Sequence, residues 1–191
     1  MPLERTPLEL HTDRLWLRQW SPSDREAFAA LNADPRVMEH FPAPLTTKES
    51  HLLADHIEAH FAQHGFGLWA AEIPGVAPFA GFLGLAIPRF AAHFTPCVEI
   101  GWRLATAYWG QGYAPEGARA VLEFGFGTLD LDEIVSFTSA GNHRSRRVME
   151  KIGMTHDPVD DFEHPAMPDR LRQHVLYRMT RASRPRETAD I

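Results

Sequence analysis

Val98-Glu99-Ile100-Gly101-Trp102-Arg103-Leu104, followed three residues later by Tyr108-Trp109-Gly110-Gln111-Gly112-Tyr113-Ala114-Pro115-Glu116, is the stretch on which the fold turns. Its first half alternates. Val98, Ile100, Trp102 and Leu104 fall on one face and Glu99, Gly101 and Arg103 on the other, the pattern of a strand over 97–104. Its second half is a glycine-spaced loop that runs into a helix, with Pro115 suited to the first turn and Ala118, Val121, Leu122 and Phe126 along the apolar side. Residues 133–139 then read as another strand, which completes a βαβ unit. A loop between a strand end and a helix N-terminus gathers unpaired amides and the positive end of the helix dipole, so its expected guest is a phosphate. A P-loop would require Gly-Lys-Ser/Thr, and the dinucleotide fingerprint would require a third glycine where Pro115 stands. The two glycines alone fit a plain strand-to-helix turn equally well.

Upstream, residues 14–18 read as a first strand. Ser21-Pro22-Ser23-Asp24 supplies a capping hydroxyl, an early proline and an early carboxylate for a helix to about Leu31. Thr46 and Glu49 form a capping box for a second helix reaching about His64, with Leu53, Ile57 and Phe61 recurring every four positions. Residues 67–72 and 79–87 flank a Pro/Gly turn as a hairpin. Downstream, a helix from Asn142 ends at Gly153, a residue suited to the left-handed C′ position. Strands at 154–156 and 174–180 are separated by a loop over 157–171, and the tail from Arg181 has no apolar face to bury.

At 191 residues, 44% hydrophobic and 23% charged, the chain predicts one domain over 1–191, with a core over about 8–180 and a flexible tail over 181–191. A lone cysteine, Cys97, excludes an internal disulfide and favours a reducing, cytoplasmic setting. No run reaches the ~20 apolar residues of a membrane span, and the charged first twenty positions do not resemble a signal peptide. A net charge of −6 argues against nucleic-acid binding. Neither nucleic acid nor membrane is an expected partner.

The stretch 98–116 resembles the cofactor-binding core of the GNAT superfamily of acyl-CoA-dependent N-acetyltransferases. The second matching motif is Asn142-His143-Arg144-Ser145-Arg146-Arg147-Val148-Met149-Glu150-Lys151-Ile152-Gly153-Met154, in the right order and at the right separation. Together they resemble the RimJ/RimL-type branch, over roughly residues 8–180. The resemblance implies an α/β (α+β) fold: a mixed central sheet of about seven strands, mostly antiparallel, splayed at the cofactor site and flanked by about four helices. It implies acetyl-CoA as co-substrate, no metal, and a monomer or homodimer. It implies cofactor contacts from Ile100, Trp102 and Leu104, from Trp109, Gly110, Gln111, Gly112, Tyr113 and Ala114, and from Asn142 and Ser145. One position departs from the superfamily: Trp109 stands where Arg or Gln usually opens the pyrophosphate motif, which leaves the pyrophosphate to backbone amides.

Acetyl transfer from a thioester to an amine needs a neutral amine and a stabilised leaving thiolate. The resemblance assigns the amine's proton to Glu99 and the sulfur to the Ser145 hydroxyl. A carboxylate of ordinary pKa is a poor base for an ammonium ion, so Glu99 requires burial or a water relay; the competing reading is a satisfied carboxylate. Cys97 has no neighbouring His or Lys and reads as core, which favours direct attack in a ternary complex. His56, His60 and His64 share a helical face and read as a solvated stripe. Arg144, Arg146 and Arg147 are either a solvated face or a site for the 3′-phosphate of CoA. The acceptor expected from the branch is a protein or peptide N-terminus. The alternatives are a small amine such as an aminoglycoside or polyamine, and a non-catalytic acyl-CoA sensor. Acceptor walls are expected from the first two helices and from 157–171, where Asp160, Asp161, Glu163 and Asp169 would meet a cationic amine.

Overall fold

A computed structural model describes residues 8–184. Among the described residues there are nine strands: β1 (Leu10–His11), β2 (Trp16–Arg18), β3 (Leu68–Ile73), β4 (Ala77–Ala86), β5 (Glu99–Leu104), β6 (Glu133–Ser139), β7 (Thr155–His156), β8 (Phe162–Glu163) and β9 (Gln173–Thr180). They form one sheet in the order β1-β2-β3-β4-β5-β6-β9-β7, with β8 also on β9. Every pairing is antiparallel except β5 with β6, whose only register pair is Glu99 with Val135. The helices are α1 (Asp24–Ala33), α2 (Thr47–His64), α3 (Tyr113–Gly127), α4 (His143–Lys151) and a single turn, α5 (Asp169–Arg172).

The sheet exceeds the expected seven strands because β1 and β8 are two-residue strands, too short to show a periodicity. The span 157–171 is likewise not one loop: a 3-10 turn, β8 and the start of α5 lie in it. At α1 no hydroxyl caps the helix. The first helical residue, Asp24, instead ties the helix to the segment before it, accepting from the Ser21 amide at 2.7 Å and from both Nη atoms of Arg18 at 2.8 Å. The capping box at α2 forms as read, and Gly65 ends that helix with φ 75°. Arg181 at the start of the tail is bonded, its amide to the Asp132 carbonyl and its guanidinium to Asp130; residues 185–191 lie outside the described part.

Two faces of the sheet carry different helices. Leu83 and Leu85 of β4 meet α3 at Gly117 and Gly125, while Phe82, one residue out of phase, meets Phe28 of α1 edge-on at 5.9 Å. The β4–β5 register transfers this division to β5. Leu85 opposes Ile100 and Leu83 opposes Trp102, on the α3 face; Phe82 opposes Arg103 and Ala86 opposes Glu99, on the α1 face.

Candidate active site

Beyond Glu99 and Val135 the strands β5 and β6 part. Ala105 donates to the Ala80 carbonyl, so by the alternation of an antiparallel ladder the N–H and C=O groups of Trp102 and Leu104 point away from β4, into the gap. The carbonyls confirm the direction. Ile100 O accepts from the Ser136 hydroxyl at 2.9 Å and Leu104 O from the Trp109 indole at 2.7 Å.

A cavity of about 540 Å³ occupies this gap. Its floor is Trp102, Arg103 and Leu104; one wall is the loop and first turn of α3, another is α4 from Asn142 to Lys151, and Arg36, Val37 and His40 close it on the α1 side. Trp109, Gly110, Gly112, Tyr113, Ala114, Asn142 and Ser145 all line it. Glu99, Ile100 and Gln111 do not. Ile100 is core, 1% exposed. Gln111 turns its side chain to the Ala107 carbonyl.

The loop is shaped by Gly110 at φ 74° and Gly112 at φ 86°, a backbone region that a Cβ disfavours. Helix α3 begins at Tyr113, two residues before Pro115, and no side chain caps it. Its first amides are therefore open toward the cavity. Arg14, 102 residues away in sequence from Glu116, braces the turn: Nε donates to Glu116 at 2.7 Å, Nη1 to the Gln111 carbonyl at 2.9 Å, and the guanidinium lies 4.7 Å from the Tyr113 ring centre. Trp109 carries a cation on its ring: Arg144 stacks 4.7 Å from the indole centre. Arg144, Arg147 and Lys151 line the cavity, whereas Arg146 turns to the Ala140 carbonyl and Tyr177.

At the start of α4 the Asn142 side chain is committed at both ends, accepting from the Ser145 amide at 3.2 Å and donating to Thr138 at 2.9 Å. Ser145 lines the cavity, and no hydrogen bond ties its hydroxyl to another described residue. Glu99 has no hydrogen-bond partner among the described residues either. Glu99 is half-buried, and desolvation raises its pKa to about 8. Burial also pushes the Cys97 thiol up to about 11.

Several residues in and beside the cavity were not legible from sequence. Arg36, Val37 and His40 follow α1 without a motif, and no local signal links Arg14 to Glu116. His40 shares a hydrogen bond with Ser139 at 3.0 Å and is kept neutral by burial; it also lines a second, smaller cavity with Arg170 and Gln173. Of the four acidic residues expected at the acceptor wall, three are paired: Asp160 binds Arg178, Asp161 binds His156 and Asp169 binds Arg172; Glu163 forms no ion pair among the described residues. Nor is the histidine stripe uniformly solvated. His60 is half-buried, with Nδ1 at 2.9 Å from the Phe66 carbonyl and Nε2 accepting from the Ile87 amide.

Comparison with known proteins accords with this geometry. The family described as Acetyltransferase (GNAT) domain matches residues 14–155. A protein of Aspergillus fumigatus named FsC-acetyl coenzyme A-N(2)-transacetylase is 33% identical over 186 residues, covering 90% of this chain and 76% of its own. The crystal structure of an acetyltransferase from Agrobacterium tumefaciens superposes with a TM-score of 0.74 at 28% identity, over 94% of this chain and 98% of that one. Mycobacterium smegmatis RimJ in complex with CoA-disulfide shares the fold, with a TM-score of 0.71 at 20% identity over 95% and 88% of the two chains. The parted strands, the uncapped helix and these relatives lead to one conclusion: the chain belongs to the GNAT acetyltransferase family and is an acetyl-CoA-dependent N-acetyltransferase.

Proposed function

We propose that the acceptor is the terminal amine of a protein or peptide, that Glu99 takes the amine's proton, and that Ser145 hydrogen-bonds the departing sulfur. The observation that carries the reading is the Glu99 carboxyl, half-buried on the α1 face of β5, without a hydrogen-bond partner among the described residues and raised to about 8. At that value it is matched to an α-amine, which titrates at about 7.7–8.0.

Acetyl-CoA supplies an activated acyl thioester. The α3 amides at Gly112, Tyr113 and Ala114 face its pyrophosphate, with Arg144, Arg147 and Lys151 as flanking cations. The N–H groups of Trp102 and Leu104 meet the pantetheine arm as a strand neighbour would. Asn142 holds Ser145 at the cavity wall by capping α4, so its own role is to position. The Cys97 thiol stays protonated at neutral pH, which supports direct attack by the amine over an acetyl-cysteine route. His40 borders both cavities.

Thiol release from acetyl-CoA tests the acceptor. Peptides with a free N-terminus should support turnover, and the same peptides blocked at the N-terminus should not. A small-molecule amine is the second reading; turnover on polyamines or aminoglycosides with none on any peptide would establish it.

A further inference from the structure

Two histidines are buried against each other at the far end of β9. His164, just after β8, is 7% exposed and His174 is 3% exposed, and their ring centres lie 4.9 Å apart. Phe90 packs on the His164 ring at 4.3 Å and Phe162 on the His174 ring at 5.5 Å. The main chain fixes both tautomers. His174 Nδ1 is 3.1 Å from the Arg172 carbonyl and must carry a hydrogen to bond it, whereas His164 Nδ1 accepts from the Ala166 amide at 3.2 Å and must carry none. The Arg172 carbonyl also accepts from the His164 amide at 2.8 Å. Loop 164–174 is therefore closed by two neutral imidazoles. A second proton on His164 would go to Nδ1, against the Ala166 N–H. A second proton on His174 would go to Nε2, which has no hydrogen-bond partner among the described residues.

No acid stands ready to answer these charges. The segment 88–97 brings Phe90 and Phe94 to the pair, while its Arg89 acts on His60 and its His93 pairs with Asp160. From β6 comes Phe137, and from β8 comes Phe162, whose neighbour Glu163 is exposed opposite Gln173. Asp161 holds His156, and Asp169 holds Arg172. Glu99 is shifted by burial alone, with no contribution from either ring. His40 reaches the pair only through Ser139, which opposes His174 across the β6–β9 ladder. Burial accordingly lowers the pKa of both imidazoles below the ordinary 6.5.

The loop they close is also a strap. Arg170 Nη2 donates to the Phe41 and Pro42 carbonyls at 3.2 and 2.9 Å, next to His40, and Arg36, Val37 and His40 wall the cofactor cavity.

We propose that His164 and His174 form a proton-operated latch: acidification charges both rings, opens loop 164–174 and releases the Phe41–Pro42 segment from Arg170, so that the enzyme shuts down reversibly below neutral pH. The latch is independent of the acceptor and of the part played by Glu99. Its sign follows from the lowered pKa values. The opened loop binds protons more readily than the closed one, so closure is complete above pH 6.5 and is lost as pH falls toward the values of the closed state. Each ring can raise the opening constant by up to about tenfold per pH unit. Glu99 has the opposite sign, since its raised pKa favours the folded state in acid, and so cannot mimic the effect.

The test is amide hydrogen exchange on the full chain from pH 7.5 to 5, corrected for the intrinsic pH dependence of exchange. Between pH 6.5 and 5.5 the opening constant of the amides of His164, Ala166 and Leu171 should rise by about tenfold or more, while those of α3 stay within about twofold. Return to pH 7.5 should restore protection. The double substitution His164→Asn with His174→Asn keeps an acceptor and a donor in place of each Nδ1 without a titrating ring; it should remain closed and lose the pH dependence. His40→Gln should keep that dependence. Loss of the dependence in His40→Gln, or its persistence in the double variant, would overturn the latch, as would unchanged exchange in the wild type. Should the double variant be open at every pH, imidazole resonances of the wild type decide: two rings titrating below 6.5 in step with the exchange support the latch, and rings titrating without it refute it.

Discussion

The two faces of strand β5 are built on opposite plans. Toward α3 and α4 the site is made of main chain: the amides of Trp102 and Leu104, the first turn of α3, and two glycines at positive φ. Its cations are replaceable surface residues, Arg144 being well exposed. Toward α1 the site is made of two side chains, Glu99 and Arg103, each half-buried and each without an ionic partner among the described residues. A backbone site binds what every member of the family binds and needs only the right bend. A side-chain site derives its chemistry from what buries it, since desolvation is what turns an ordinary carboxylate into a base useful near neutral pH.

That contrast sets the order of effects expected from substitution. Glu99→Gln should lower kcat by about 100-fold or more. The wild-type rate should rise with pH through an enzyme ionisation near 8, best seen with an acceptor amine whose own pKa lies well above that of Glu99, and this ionisation should vanish in the variant. The same residue has a stability signature. The folded carboxyl titrates above its usual 4.5, so the folded state keeps a proton that the unfolded state releases, and stability falls as pH rises from 4.5 to 8. Glu99→Gln should lack that slope, at most about 1.4 kcal/mol per pH unit, in denaturant titrations across the range.

On the main-chain face, Gly112→Val should raise the KM for acetyl-CoA by about tenfold with little change in kcat. A β-branched residue at φ 86° is strained, and its Cβ would come within 3.2 Å of Arg14 Nη2. Arg14→Ala should act on the same parameter more weakly, about threefold to fivefold, because it frees the Gln111 carbonyl and Glu116 without altering the loop's own geometry. Ser145→Ala should reduce kcat by about threefold to tenfold and leave the affinity for CoA unchanged, as the loss of one neutral hydrogen bond to the sulfur implies. Smallest of all, Cys97→Ala should keep turnover within about twofold; loss of activity there would break the direct-attack reading and point to a covalent route.

Sequence by itself determined the main-chain face. The alternation over 98–104, the glycine spacing at 110 and 112, the capping box at Thr46 and the Asn142–Gly153 helix are local, and each was legible because a strand, a tight turn and a helix start depend on neighbours a few residues away. Hence the βαβ unit, the order of elements and the cofactor loop could be read directly. The tertiary structure alone decided what faces that loop and how its partners are tuned. Arg14 reaches the loop from the first hairpin, Arg144 stacks on Trp109, and Asp160, Asp161 and Asp169 pair with Arg178, His156 and Arg172. Glu99 and Arg103 appear in sequence as two polar residues on one face of a strand. Only packing under α1, with Asn32, Phe41 and Phe82 around the arginine, shows that neither has an acid or base to answer it, because burial and long-range pairing are properties of neighbours that the chain order does not list.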